Sequence, residues 1–202
     1  VRTFFSGHLS IGAYPIQTWG SEALKRKYLP AAATGDKILA FGLTEPDAGS
    51  NPREMTSTYT TTADGFRLSG VKYLISNGGI ADAIVVFAYP AGVPEGPGRR
   101  ISAFVVDTKS PGFTVENLTA KMGMFSSNTA MFEMADVAVP AENLLGEEGD
   151  GFRIAMGTLV SGRLSVAAGC LGVIEDCLAE TAEYAKVRQQ HGKEIARHQL
   201  VQ

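Results

Sequence analysis

Cysteine, histidine and an excess of charge of either sign are what this sequence has least of, and each shortage excludes something. The only cysteines among 202 residues are Cys170 and Cys177. Seven positions apart in a helical pattern, they are separated by about 10 Å along the axis, too far for a disulfide. They read as small buried apolar residues in a reducing compartment. Three scattered histidines cannot assemble a metal-ligand cluster, so no metal is expected. Eighteen lysines and arginines against 21 aspartates and glutamates leave a net charge of -3, which offers no positive field to a phosphate backbone and excludes a nucleic-acid partner. Arg99-Arg100 reads as a loop pair. No run of about 18 apolar residues is evident, so no membrane span is expected, and the first residues lack the order of a signal peptide. What the chain does have is 45% hydrophobic residues, enough to bury the core of one or two domains.

The pattern changes twice along the chain. Residues 1–37 are helical in character: Glu22-Ala-Leu-Lys-Arg-Lys-Tyr-Leu29 places Leu24, Tyr28 and Leu29 on one side, Ser21 can cap it, and Pro30 is expected to end it. Residues 38–146 hold six short strand-like runs, at 37–43, 65–68, 83–88, 101–106, 113–116 and 130–134, separated by Gly, Pro, Asn and Asp clusters. That spacing predicts a compact β-barrel or sandwich. From 147 to 202 the period is helical again. Val166, Cys170, Val173, Ile174, Cys177, Leu178, Thr181, Tyr184 and Ala185 recur at three- and four-residue steps, with acidic residues on the other side. Gly192 suits a C-terminal cap. The start at Val1 and the stop at Gln202 both fall inside a pattern, as expected of a fragment. The fold class is therefore α+β: an N-terminal helical segment, a central β domain and a C-terminal helical-bundle segment.

Two stretches concentrate polar chemistry at strand ends, Phe41-Gly-Leu-Thr-Glu-Pro-Asp-Ala-Gly-Ser50 and Gly70-Val-Lys-Tyr-Leu-Ile-Ser-Asn-Gly78. Each runs from apolar residues into a turn rich in hydroxyls and glycine, which presents donors at the rim of a sheet. Pro46 fixes φ, Asp47 can bond its own backbone, and Gly49 tolerates positive φ.

These stretches, together with Gly20-Ser-Glu-Ala-Leu-Lys-Arg-Lys-Tyr-Leu-Pro30, Lys121-Met-Gly-Met124 leading to Ser127-Asn-Thr129, Val139-Pro-Ala-Glu-Asn-Leu-Leu-Gly146 and Arg188-Gln-Gln-His-Gly-Lys193 leading to His198-Gln199, resemble the acyl-CoA dehydrogenase family of flavoproteins over essentially the whole chain. The resemblance implies bound FAD and α,β-dehydrogenation of an acyl-CoA to the 2,3-enoyl-CoA, with hydride passing to the flavin N5. It further implies electron transfer to an electron-transferring flavoprotein, a homo-oligomer (tetramer or dimer), a part in fatty acid or amino acid catabolism, and a cytoplasmic or mitochondrial-matrix location. By the same resemblance Phe41, Gly42, Leu43, Thr44, Gly49 and Ser50 lie along the cofactor, with Thr44 toward the pyrimidine side of the ring. Leu74, Ile75 and Ser76 lie on its N5 side. Ser50 reaches cofactor phosphate or the thioester ligand. Arg188, Gln190, His198 and Gln199 reach a neighbouring subunit's FAD, and Arg163 belongs to the acyl-CoA site, a buried structural ion pair being the alternative for it.

Departures from the family pattern are equally definite. Leu74 replaces a tryptophan, Asn51 and Asn128 replace aspartates, Phe125 replaces an arginine, His191 a phenylalanine, and Val160 an aspartate of some members. Gly162 stands where a minority of members carry the catalytic glutamate, so the base is expected outside this chain. An acyl-CoA oxidase, a flavin monooxygenase or a non-catalytic interaction module would share most of these motifs.

Overall fold

The computed structural model describes residues 2–201. The chain divides into two compact units, one running to Gly162 and the other beginning at Arg163. The first opens with helix α1 (Arg2–Phe5), a π-helical stretch (Ser6–Ala13), α2 (Tyr14–Trp19) and α3 (Glu22–Thr34). Ser21 caps α3, its hydroxyl accepting from the Leu24 amide at 3.2 Å. Contrary to the expectation from proline, α3 continues through Pro30. Pro30 forfeits one backbone bond, but Tyr28 and Ala32 on either side of it are buried in the core, so packing holds the last turn in place. Gly35, at φ 84, then closes the helix with its amide on the Ala32 carbonyl. Ser21→Ala should lower the unfolding free energy by about 1 kcal/mol through loss of the cap. Urea unfolding of the variant checks this, and an unchanged midpoint would contradict it.

Eight strands follow: β1 (Leu39–Gly42), β2 (Thr58–Thr62), β3 (Gly65–Ser76), β4 (Ala83–Pro90), β5 (Ser102–Asp107), β6 (Phe113–Asn117), β7 (Thr129–Pro140) and β8 (Leu144–Leu145). They form one sheet in the order β6-β7-β3-β2-β4-β5-β8, with β1 also paired to β4. β1 and β2 run parallel to β4, and the remaining pairs are antiparallel. Because side chains alternate along a strand, β4 feeds two cores. Val85 and Phe87 pack with Ile16, Leu24 and Tyr28 of the helices. Ile84 and Val86 pack with Phe104, Phe132 and Val139 on the other face. A strand buried on both faces reads as a continuous apolar run, which is why β4 was plain in the sequence.

β2 was not. Thr58-Tyr-Thr-Thr-Thr62 shows only Tyr59 buried, and that ring anchors the strand by edge contacts with Phe66 and Phe104 at 5.7 and 4.9 Å.

Helix α4 (Gly151–Val187) is followed by a hairpin of β9 (Gln189–Gln190) and β10 (Lys193–Glu194) and by a single 3-10 turn, Ile195–Arg197. Gly192 is therefore not a helix cap. It occupies the hairpin turn, where His191 (φ 53) and Gly192 (φ 77) both take positive φ, as a two-residue type I′ connection requires. From Arg163 onward the apolar positions of α4 are largely exposed: Val166, Val173, Ile174 and Leu178 face outward, and only Ala185 is buried. Cys170 and Cys177 are likewise exposed rather than buried, because among the described residues nothing covers that face. The expected absence of an apolar run of about 18 residues does not hold for α4, which by itself is weak evidence of a membrane span. By length and composition alone α4 qualifies, with an 18-residue window of mean hydropathy 1.5, because small residues such as Ala167, Ala168 and Gly169 link its aliphatic ones.

Candidate functional site

The turn after β1 is built from the backbone outward. Glu45 and Ala48 exchange hydrogen bonds, amide to carbonyl, at 3.0 and 3.2 Å, which places Pro46 and Asp47 at the exposed corner. Gly49 does not use positive φ; the turn closes without it. Phe41, Leu43 and Ile75 are core residues. Phe41 packs on Phe87 with ring centroids 5.0 Å apart, and a Cβ on Gly42 would lie 2.8 Å from the Phe132 ring. Any ligand contact these four make is therefore through backbone. Thr44 and Ser76 are half-buried, Ser50 is exposed, and among the described residues the three hydroxyls have no hydrogen-bond partner within the chain.

The two stretches are joined directly. The Tyr73 amide donates to the Thr44 carbonyl at 2.9 Å. Beneath this contact lies a buried ion pair, Lys72 Nζ to Glu45 Oε1 at 2.8 Å, with side chains 0% and 2% exposed. Lys72 also donates to the Leu43 carbonyl at 3.3 Å. Glu45 in turn accepts from the Thr56 amide and hydroxyl and from the Ser57 amide, at 2.6, 2.8 and 3.1 Å. Burial acts to raise the Glu45 carboxyl, but the Lys72 ammonium and the surrounding donors outweigh it and hold the group at about 2. Burial pushes the Lys72 ammonium below its ordinary range, with the Glu45 carboxylate opposing. An unfolded chain protonates this glutamate near 4.5, so between that pH and about 2 the unfolded state binds more protons. The contribution of Glu45 to stability is complete above that window and is lost as pH falls through it. Glu45→Gln should accordingly flatten the pH dependence of urea unfolding between 4.5 and 2; an unaltered acid limb would refute the assignment.

Ser76 ends β3 beside a distortion. The register of β3 against β7 shifts between Lys72 and Ile75, and Leu74 there has φ 58 with its side chain 56% exposed. A leucine in that region costs about 1–2 kcal/mol, a strain that marks the rim as a place to look for function. Ser76 lines a cleft of about 410 Å³ with Thr3, Lys121, Met124, Ser127 and Thr129. Lys121 Nζ donates to Thr129 Oγ1 at 3.0 Å and to the Ser127 carbonyl. Sequence reasoning did not single out Lys121 as a site residue; its signal was the Lys121-Met-Gly-Met124 motif. Asn128 anchors the same region, accepting from the Gly79 amide at 2.9 Å and donating to Asn117 Oδ1 at 2.8 Å.

A second cleft, of about 380 Å³, was also missed. Arg53, Arg99, Arg100 and Arg153 line it with Tyr89 and Phe152. The Arg99 guanidinium lies 4.2 Å from the Tyr89 ring centroid and that of Arg53 4.3 Å from Phe152, which fixes both cations against aromatic faces. Arg153 pairs with Asp150 at 2.8 Å and holds that carboxyl below its usual range. Arg99 Nη1 lies 3.8 Å from Glu95 Oε1, and its Nε is buried without a partner among the described residues. Arg99-Arg100 is thus more than a loop pair: it shares a cleft with Arg53, three residues beyond Ser50.

The remaining candidates belong to the second unit. Arg163 is exposed on α4, and among the described residues it makes no buried ion pair. The Arg188 backbone is bonded to Tyr184 and Ile195, its side chain exposed beside the hairpin. His198 Nε2 lies 3.4 Å from the Gln190 carbonyl and its ring 6.3 Å from that of His191. Gln199 is exposed. Arg188, Gln190, His198 and Gln199 therefore share one hairpin and its flank. Among the described residues no metal-ligand cluster is present.

Helices, one mixed sheet with a hydroxyl-bearing rim and an arginine-lined cleft, then a long helix with an apolar face: these define an α+β protein. The chain belongs to the acyl-CoA dehydrogenase family, whose N-terminal, middle and C-terminal domain models match residues 1–36, 40–137 and 149–202. An acyl-CoA dehydrogenase of Bacillus subtilis (strain 168) is 43% identical over 98% of this chain and 52% of its own length. A glutaryl-coenzyme A dehydrogenase in complex with glutaryl-CoA superposes with a TM-score of 0.90 at 40% identity, over 98% of this chain and 50% of that one. An acyl-CoA dehydrogenase complexed with FAD from Bacillus anthracis gives 0.89 at 36% identity, over 98% and 33%. The chain spans about half the length of the curated relatives it matches. Family and fold are those the motifs had implied.

Proposed function

We propose that this protein is an FAD-dependent oxidoreductase that dehydrogenates an acyl-CoA at its α,β carbons, delivering the electrons to an electron-transferring flavoprotein from within a homo-oligomer. The observation that carries this is the joined pair of rims, Thr44 and Ser76, whose hydroxyls have no partner among the described residues, in a chain of this family. Those groups fit FAD: two half-buried hydroxyls on joined strand ends suit the edge of a planar, polar ring. Bound there, the flavin supplies the hydride acceptor. Thr44 and Ser76 orient the ring and, with Lys121 in the Ser76 cleft, stabilise negative charge on it. Ser50, at the far end of the turn, reaches cofactor phosphate or the thioester ligand. Arg53, Arg99 and Arg100 take the phosphates of the CoA nucleotide, a role guanidinium forks suit. Arg163 serves the acyl-CoA site, and Arg188, Gln190, His198 and Gln199 reach a neighbouring subunit's cofactor. Gly162 supplies no proton acceptor, so that role belongs to a carboxylate elsewhere in the protein. A cytoplasmic or mitochondrial-matrix location suits this chemistry.

The protein should purify yellow with non-covalent FAD, and anaerobic addition of an acyl-CoA should bleach the flavin band. Thr44→Ala should weaken FAD binding about fivefold to tenfold through one lost hydrogen bond, measured by fluorescence titration. A colourless protein that takes up no FAD on reconstitution would overturn the reading.

A further inference from the structure

Lys72 is the residue that the motifs leave without a task. It lies between the two candidate cofactor stretches, is wholly buried, and brackets Thr44 from both sides: its ammonium bonds the carbonyl of Leu43 and the carboxylate of Glu45. The next residue, Tyr73, bonds the Thr44 carbonyl itself. Ser76 lies three positions beyond Tyr73 on the same strand. Glu45 completes the frame by gripping Thr56 and Ser57, so that the turn cannot shift without breaking several charge-assisted bonds. For stability alone such a pair is a poor choice, since apolar or neutral residues of similar volume do as well or better in an interior. What the pair supplies is a fixed length between two hydroxyl-bearing segments.

We propose that Lys72, acting with Glu45, is a positioning residue that sets the spacing of the Thr44 turn against the Ser76 strand and so aligns both hydroxyls on one planar ligand. This rests on the FAD reading above. Its effect is exerted through Thr44, since both charged side chains are buried and the ligand meets only the rim.

The test is the neutral double variant Lys72→Met with Glu45→Gln, which removes both charges while roughly keeping volume and leaving an acceptor for Thr56. The expected result is a folded protein, with melting temperature close to wild type, that binds FAD about tenfold more weakly, shows an altered flavin absorption envelope, and exchanges the Tyr73 amide faster with deuterium in the absence of FAD. A folded variant with unchanged FAD affinity, spectrum and exchange would overturn the proposal. Should the double variant not fold, Glu45→Gln alone, which keeps the lysine bond to Leu43, is measured in the same way and decides by the same criteria. The cofactor reading fails separately: if wild type binds no FAD, that reading falls, and amide exchange at Tyr73 still decides whether Lys72 holds the turn.

Discussion

Replacing Lys72 by alanine alone is expected to lower the unfolding free energy by about 3–5 kcal/mol, because it strands a buried carboxylate among donors arranged for an ion pair. Glu45 is then forced either to protonate or to draw in water through the core. For a unit of this size the melting temperature should fall by about 10 °C or more. The neutral double variant should recover most of the loss, and that contrast, in a double-mutant cycle, separates the damage of an unpaired charge from the net worth of the pair. Calorimetry or urea unfolding of the four proteins supplies the cycle. A single variant as stable as wild type would mean that Glu45 is not held ionised.

The second large effect is expected at the arginine cleft. Arg53→Ala combined with Arg99→Ala should raise KM for an acyl-CoA by about a hundredfold or more, with kcat nearly unchanged, because bonds between guanidinium and phosphate are worth about 1.5–3 kcal/mol each and lie away from the reacting carbons. The wild-type KM should rise with salt, and that dependence should be weaker in the variant. A thioester of pantetheine without the nucleotide provides the control, since it should not distinguish the two proteins. Equal KM values for acyl-CoA in both would remove the cleft from the substrate site and leave it a structural cluster.

The sequence by itself determined the helix–sheet–helix order and most of the strands, though not β2 or the hairpin of β9 and β10. Apolar runs such as 83–88 and 101–106 read as strands because both faces of β4 and of β5 are buried. The Thr44–Ser50 turn and the end of β3 were legible because their chemistry is local: proline, hydroxyls and glycine act on their own backbone. Where competing local signals met, packing chose between them. Pro30 lies inside α3 because Tyr28 and Ala32 are buried around it, and β2 exists because one tyrosine ring finds Phe66 and Phe104.

Only the tertiary structure decided which distant residues share a site. Nothing local relates Lys72 to Glu45, 27 positions away, or Arg53 to Arg99, Arg100 and Arg153; a lysine in a strand and an arginine pair in a loop look like solvated charge until the sheet closes around them. The same holds in reverse for α4, whose amphipathic pattern was plain while its apolar face, with Cys170 and Cys177, remains uncovered among the described residues. The physical reason is that periodicity states which side of an element is apolar, whereas burial depends on what packs against that side, and long-range pairing, unlike a turn or a cap, leaves no trace in neighbouring residues.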